Sequence, residues 1–242
     1  MTELKQKTLD AVIEGNQRRL RSLIRRGNSI HGSCSQQCVM KGNLECLQIV
    51  HENGGYWNEK TCSFAAFHGN LDCLRYAHEN GCPWDKNTLS LALLQGHLDC
   101  AIYYLTHADD YQKDDPTYCK CAVWNGNIHC LKYLHRNGFA WDHTIPLQAS
   151  TYGQTECLRY AIENGCPFSW KTCLDVSCVE YRAARNRECI SYLMHLKDKI
   201  KAIVKIQAHV RGVQLRKREG VNNPHCPMGQ RFLRRLFEIT SK

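Results

Sequence analysis

Long hydrophobic runs are missing from this chain of 242 residues. No stretch approaches the roughly 18 consecutive apolar residues that a membrane-spanning helix needs. The N-terminal segment is polar and lacks the apolar region of a secretory signal peptide. We therefore expect a protein that is neither exported nor inserted in a membrane, and that works in the cytoplasm or the nucleus.

The sequence also lacks the short motifs that mark many catalytic and metal sites. It contains no P-loop, dinucleotide-binding fingerprint or metalloprotease helix motif, and no Cys-x-x-Cys pair of the kind found in zinc sites. Cysteine and histidine recur five residues apart, as in Cys46 and His51, but that spacing separates them by about 140° around a helix. Two such side chains cannot share one metal ion. The sequence predicts a non-enzymatic protein without a metal or cofactor.

Cysteine itself is abundant, with 16 residues. Chains rich in disulfides are usually small secreted domains, and the export signal of such a domain is missing here. Cysteines instead recur at one position of a repeating pattern, where a reduced cysteine packs as a small apolar side chain. They are Cys46, Cys73, Cys100, Cys130, Cys157 and Cys189. We expect a reducing compartment.

The most informative feature is the motif Gly-(Asn/His)-Leu-(Asp/Glu)-Cys-(Leu/Ala), which returns with small changes at a nearly fixed step. Its glycines are Gly42, Gly69, Gly96, Gly126 and Gly153, so the steps are 27, 27, 30 and 27 residues. A period in this range is typical of solenoid proteins, in which each unit packs on its neighbours and the stack forms an extended binding surface.

Each repeat has the pattern of two short helices joined at the motif glycine. A small residue stands four positions before the glycine, and apolar residues two, five and eight positions after it line one face of a second helix. A further glycine twelve positions after the first is typical of a helix C-terminus. Seven registers fit, starting at Gly15, Gly42, Gly69, Gly96, Gly126, Gly153 and Arg185. The sequence predicts an all-α helix-turn-helix solenoid.

These units resemble the ankyrin repeat family, through runs such as Ala65-Ala66-Phe67-His68-Gly69 and the Leu-x-x-x-Gly ending. Most units have 27 residues, where the family usually has about 33. The junction from Gly81 to Asp85 looks like the shortened variety common in giant DNA viruses of amoebae. The resemblance covers roughly residues 1–195 and implies a solenoid of about seven ankyrin-like repeats, expected to be a monomer that binds a partner protein.

The resemblance also places the two residues before each motif glycine in the concave groove, where partners of the family dock. Large apolar residues stand there in successive units, and Tyr152 follows in a later one. They are Met40, Phe67, Leu94 and Trp124. Such residues form either an exposed protein-binding row or, if the short repeats curl tightly, part of the core.

Aromatic residues recur as well at the junctions between repeats. They are Trp57, Trp84, Trp141 and Phe168. Because Pro83 and Pro167 stiffen two of these turns, we expect packing between adjacent loops and not contact with a ligand.

The C-terminal part of the chain differs in charge from the rest. Residues 195–242 contain 12 basic and 3 acidic side chains, whereas residues 1–194 contain 20 of each, so the tail carries the whole net charge of +9. Lys197 stands where the earlier repeats have their C-terminal glycine, and no proline follows before residue 218. We expect the last repeat helix to continue over residues 196–219 as a projecting arm. Residues 220–242 are expected to be a basic tail with a loop and a short amphipathic helix.

Within that arm, the run from Ile206 to Arg216 resembles the IQ motif, Ile-Gln-x-x-x-Arg-Gly-x-x-x-Arg, to which calmodulin and related EF-hand proteins bind. Apolar residues at helical spacing and flanking cations suit a hydrophobic groove in an acidic partner. The resemblance implies that one lobe of the partner holds the Ile-Gln pair, while the glycine lets the other lobe approach. The candidate calmodulin-binding residues are Ile203, Ile206, Gln207, Val210, Arg211, Gly212 and Arg216.

Three alternatives stay open at this point. The concentrated tail charge would also suit nucleic acid or an anionic membrane, with the solenoid binding a protein. An ankyrin-type protein would alternatively recruit substrates for the ubiquitin system, although no F-box-like sequence is present. In the third alternative, the basic helix folds back on the last repeat and caps it, since terminal repeats need a polar outer face.

Overall fold

The computed structural model describes residues 2–109, 111–178 and 186–218, with side chains from residue 4 to residue 208 within those ranges. All regular secondary structure in these ranges is helical, which confirms the predicted all-α class. The helices are α1 (Thr2–Ile13), α2 (Gln17–Arg25), α3 (Cys34–Lys41), α4 (Leu44–Glu52), α5 (Glu59–Phe67), α6 (Leu71–Glu79), α7 (Lys86–Gln95), α8 (Leu98–His107), α9 (Thr117–Trp124), α10 (Ile128–Arg136), α11 (Thr144–Tyr152), α12 (Thr155–Glu163), α13 (Trp170–Ser177) and α14 (Arg187–Arg218).

The chain divides into two compact units, Met1–Trp141 and Asp142–Lys242. In the first unit the leading helices of successive pairs, α1, α3, α5, α7 and α9, pack side by side, and α2, α4, α6 and α8 form a second layer in the same order. In the second unit α11 contacts α12 and α13, and α14 packs on α12 and on α13. The described residues thus form seven helix pairs, as the predicted solenoid of about seven repeats requires.

Each repeat turns at its motif glycine because the backbone there is left-handed. At Gly42 the angle φ is +68°, and the N–H groups of Gly42 and Asn43 donate to the carbonyls of Val39 and Cys38, which ends α3. The Asn43 side chain then accepts a hydrogen bond from the N–H of Cys46 at 2.9 Å and caps α4. Glycine is favoured at such a φ because it has no Cβ. One Gly-Asn pair therefore ends the first helix and starts the second.

The residue after the motif glycine also links successive repeats. Asn70 Nδ2 donates to the Val39 carbonyl at 2.6 Å, and Asn127 Nδ2 donates to the Leu93 and Leu94 carbonyls at 3.0 and 2.8 Å. The accepting carbonyls lie in the last turn of the preceding repeat's first helix, where a helix leaves carbonyl groups without partners of its own. A side-chain amide thus satisfies the end of one helix from the neighbouring repeat.

The same contact identifies α13 and α14 as a repeat although their motif glycine is replaced. Arg185, the start of the seventh register, lies outside the described residues. Asn186, which follows it, is buried and donates from Nδ2 to the Ser150 carbonyl at 2.9 Å, the position equivalent to Val39. The register therefore continues through a position where the sequence motif does not.

The repeated cysteines belong to the core. All six are at most 1% exposed. Burial raises the pKa of five of these thiols, that of Cys73 to about 12, those of Cys100 and Cys130 to about 11, and those of Cys46 and Cys189 in the same direction. They remain protonated and uncharged at neutral pH, so they pack as small apolar side chains, as the sequence predicts.

Candidate protein-binding surfaces

Large apolar side chains lie along one edge of the first unit, and we call them the apolar row. They are Met40, Phe67, Leu94 and Trp124, at the C-terminal ends of α3, α5, α7 and α9. Because these helices pack side by side, their ends follow one another. The structure therefore brings one member of the row from each of four successive repeats to the same edge.

The apolar row is neither core nor fully exposed surface. Met40, Phe67 and Leu94 are half-buried, and Trp124 is 48% exposed. The residue before each member is buried in the core. These buried residues are Val39, Ala66, Leu93 and Val123. The core thus ends one residue before the row, and the side chains of the row are accessible to a partner.

Polar groups border the apolar row. The residues that follow its members along the chain are Lys41, His68, Gln95 and Asn125. Asn125 Nδ2 donates to the Leu94 carbonyl at 2.9 Å, which holds this polar side chain against the row. An apolar strip with a polar rim is the usual composition of a protein-binding surface. Tyr152, the further candidate, ends α11 in the second unit and is half-buried there.

The tryptophans at the junctions stack on histidines. The ring centroids are 3.9 Å apart in His51–Trp57 and 3.7 Å apart in His78–Trp84, with nearly parallel planes. The Nδ1 atom of each histidine lies at hydrogen-bond distance from a tyrosine hydroxyl of the next repeat, 3.0 Å for Tyr76 and 2.9 Å for Tyr103. Each histidine therefore joins its own junction to the following repeat, a structural role and not a metal-binding one.

Sequence reasoning found half of this arrangement. Trp57, Trp84 and Trp141 do pack within the fold, each on a histidine of the preceding helix, while the predicted packing between adjacent loops stays a prediction. The part played by the histidines was missed. The available signal was a constant spacing of six residues between His and Trp in three repeats, which places both rings beside the same turn. The pairs are His51 with Trp57, His78 with Trp84 and His135 with Trp141.

Because of these stacked histidines, we expect the free energy of unfolding to depend on pH. Burial, reinforced by His107, lowers the pKa of His78 below its ordinary value of 6.5, and burial also lowers the pKa of His135. The folded state binds these protons less readily than the unfolded chain, so stability is lost as the pH falls through about 6.5. We expect the urea midpoint to be lower at about pH 5.5 than at about pH 7.5, and His78→Gln with His135→Gln to reduce that difference. An unchanged difference in the double variant would contradict this.

Helix α14 is held at its N-terminal end by the second unit. Cys189 and Leu193 are buried. Between these two residues, the centre of the Tyr192 ring lies 5.6 Å from the Arg159 guanidinium of α12. One turn later, the Lys197 ammonium lies 5.3 Å from the centre of the Trp170 ring. The helix then continues without a break to Arg218, 32 residues and about 48 Å in all.

The first candidate calmodulin-binding residues lie on the solvated stretch of α14. Ile206 is 54% exposed, and Ile203 and Gln207 are half-buried. Exposed lysines surround them. These are Lys199, Lys201 and Lys205. The backbone at Val210, Arg211, Gly212 and Arg216 is helical as well, but their side chains lie outside the described residues. Residues 220–242, the predicted loop and short helix, also lie outside them.

Among the described side chains, which run from residue 4 to residue 208 with the gaps given above, no three His, Cys, Asp or Glu residues group as metal ligands would. None of the described helices has the length and hydrophobicity needed to cross a membrane.

Comparisons with known proteins bear on both parts of the chain. Residues 200–219 match the family model described as the IQ calmodulin-binding motif. Matching solved structures include that of the human ASB11 ankyrin repeat domain, with a TM-score of 0.58 and 17% sequence identity, over 75% of this chain and 96% of that chain. No curated protein matches the sequence. An identity this low shows the fold alone. The protein therefore has an ankyrin-repeat fold, and its helix α14 carries an IQ motif.

Proposed function

We propose that the protein is a non-enzymatic scaffold that binds calmodulin or a related EF-hand protein through α14 and a second protein through its repeats. The observation that carries the first half is the IQ match at residues 200–219, which begins on the continuous helix α14 among exposed side chains such as Lys201, Lys205 and Ile206. A preformed helix with an accessible apolar side chain binds a hydrophobic groove without first having to order its backbone.

The positive charge of α14 also favours calmodulin or a related EF-hand protein as the partner. Lys199, Lys201 and Lys205 are exposed on α14 beside the apolar side chains of the motif. EF-hand proteins bind calcium through carboxylates, and we expect an acidic partner to be steered towards such lysines. We infer a cytosolic or nuclear site of action, because the buried cysteines are free thiols that suit a reducing compartment.

Titration of the full chain with calmodulin tests this proposal. Calorimetry with calcium, and again with a calcium chelator, is expected to show a one-to-one complex in at least one of the two conditions. A chain that binds calmodulin in neither condition, by calorimetry and by gel filtration, would overturn the calmodulin half of the proposal while leaving the repeats to be tested separately.

For the repeats, we propose that the apolar row is the protein-binding surface of the first unit, and that Tyr152 is a candidate contact residue of the second unit. Aromatic anchors such as Phe67 and Trp124 commonly contribute about 2 kcal/mol or more each at an interface. Phe67→Ser with Trp124→Ser is therefore expected to weaken binding of the cognate protein by at least about 100-fold. The side chains are accessible, so the fold should survive both changes.

Affinity capture followed by mass spectrometry measures which proteins each variant binds, and a matched control variant is available. Ile13→Ser with Tyr56→Ser removes two other exposed apolar side chains of the same unit, which are 45% and 66% exposed. We expect some proteins to be captured by the wild type and by this control but not by the Phe67 and Trp124 variant. Identical capture by all three chains would exclude the row as the binding surface.

A further inference from the structure

Helix α2 presents an arginine face that belongs to neither surface proposed above. Arg18, Arg21, Arg25 and Arg26 are exposed and, together with Ser22, line an open recess of about 350 Å³. Arg18, Arg21 and Arg25 are spaced three and four residues apart, so they share one side of the helix and extend over about 10 Å along its axis. We call the four arginines the arginine face.

The positive charge of the arginine face is not neutralised by the described part of the chain. The neighbouring Arg19 forms an ion pair with Glu14. Across the described residues, no ion pair involves Arg18, Arg21, Arg25 or Arg26. The four guanidinium groups therefore repel one another and remain open to an anion from outside.

One of these arginines, Arg18, stands where the helix itself disfavours a cation. Arg18 is the second residue of α2, at the positive end of the helix dipole, where a cation is destabilising. Five later repeats have a carboxylate at the equivalent position. These are Glu45, Asp72, Asp99, Glu156 and Glu188. Arg18 gains no compensating ion pair within the described part of the fold, and an external anion would supply one.

The charge of the repeats is segregated along the sequence. Residues 1–26 contain seven basic and three acidic side chains, whereas residues 27–194 contain thirteen basic and seventeen acidic ones. The neutral balance of residues 1–194 therefore hides a cationic first repeat beside an acidic remainder. Within residues 1–194, a polyanion is therefore attracted to the first repeat more than to those that follow.

We propose that the arginine face binds the phosphate backbone of double-stranded nucleic acid. Guanidinium groups pair with phosphate oxygens through two parallel N–H donors. The residues that line the recess are arginines and a serine, so the recess offers no aromatic platform of the kind single-strand binders use and no apolar side chain to insert into lipid. Exposed contacts between arginines and protein carboxylates contribute little, whereas release of counterions strengthens purely cationic binding to a duplex.

A mixed-sequence DNA duplex of about 20 base pairs, labelled for fluorescence anisotropy, is the probe, and the full chain is titrated over a range of salt. Arg18→Gln with Arg21→Gln and Arg25→Gln is expected to weaken binding roughly 100-fold near 0.1 M salt. Loss of three phosphate contacts should also lower the slope of log affinity against log salt by about 2.7.

The matched control removes the same charge elsewhere on the first unit, through Lys41→Gln, Lys60→Gln and Lys86→Gln, all at exposed positions. Both triple variants keep the basic C-terminal tail, so its contribution cancels. The control is expected to bind within about threefold of the wild type. Equal losses in the two variants would overturn the proposal, and so would displacement of the duplex by polyglutamate at equal charge. Calmodulin binding is measured on the same variants and is expected to be unchanged, which separates this surface from α14.

Discussion

Ile206→Ala combined with Gln207→Ala is expected to weaken calmodulin binding of the full chain by at least about 100-fold. Ile206 is 54% exposed before binding, so a partner groove would remove a large apolar area from water. Truncating such an anchor commonly costs about 2 kcal/mol. The lost hydrogen bonds of the Gln207 amide add about 1 kcal/mol, and a total of about 3 kcal/mol corresponds to a little over 100-fold.

Val204→Ala is the matched control for this change. Val204 is 56% exposed, as accessible as Ile206, but it stands two residues earlier and thus about 160° away around the helix. The control is expected to retain affinity within about threefold, as measured by calorimetry. If both changes weakened binding equally, α14 would be recognised without a preferred face, and the IQ reading of the motif would be wrong. Unchanged binding in the Ile206 and Gln207 variant would contradict it as well.

The repeat architecture could be predicted from the sequence because its determinants are local. The left-handed glycine, the capping Asn43 and the buried Cys46 lie within five residues of one another. The same spacing recurs along the chain with few replacements, since the first repeat lacks only the cysteine and the seventh only the glycine. The sequence therefore showed the number of repeats and the positions of their turns before any coordinates were known.

The contacts between repeats could not be predicted in this way, because they join residues about 25 to 35 positions apart. His78 and Tyr103 are each unremarkable in their own helices, and only the stacking of the helix pairs brings them to 2.9 Å. Asn186 follows a replaced glycine, yet it makes the same carbonyl contact as Asn70. Its role depends on where α11 ends in space, which no spacing within the sequence shows.

Exposure of the apolar row was equally beyond the sequence. Spacing along the chain places Phe67 and Trp124 at the same position of their repeats, but it does not show whether the repeats cover them. The structure places the edge of the core between Ala66 and Phe67, and again between Val123 and Trp124. The accessible row could therefore be identified only after the helices had been packed.

Gly69→Ala is expected to destabilise the protein far more than Gly81→Ala, although the two glycines have similar backbones. Their φ angles are +72° and +82°, so an alanine at either position costs about 1–2 kcal/mol in conformational strain. A Cβ at Gly81 would meet no atom within 4 Å, whereas a Cβ at Gly69 would lie 2.4 Å from Nδ1 of His97 in the next repeat. Forcing that imidazole away adds about 1–3 kcal/mol.

If the clash with His97 causes the extra loss of stability, a second substitution that removes this side chain should restore it. His97→Ala removes the imidazole that the new Cβ would meet, so the Gly69→Ala with His97→Ala double variant should regain the extra loss and retain only the backbone strain. Urea midpoints measured for the wild type, both single variants, the double variant and Gly81→Ala give the coupling directly, which we expect to be about 1–3 kcal/mol. Additive losses from Gly69→Ala and His97→Ala would show that the two repeats do not meet at this glycine. A positive coupling would instead establish that the motif glycine is needed as much for the approach of the next repeat as for the turn within its own.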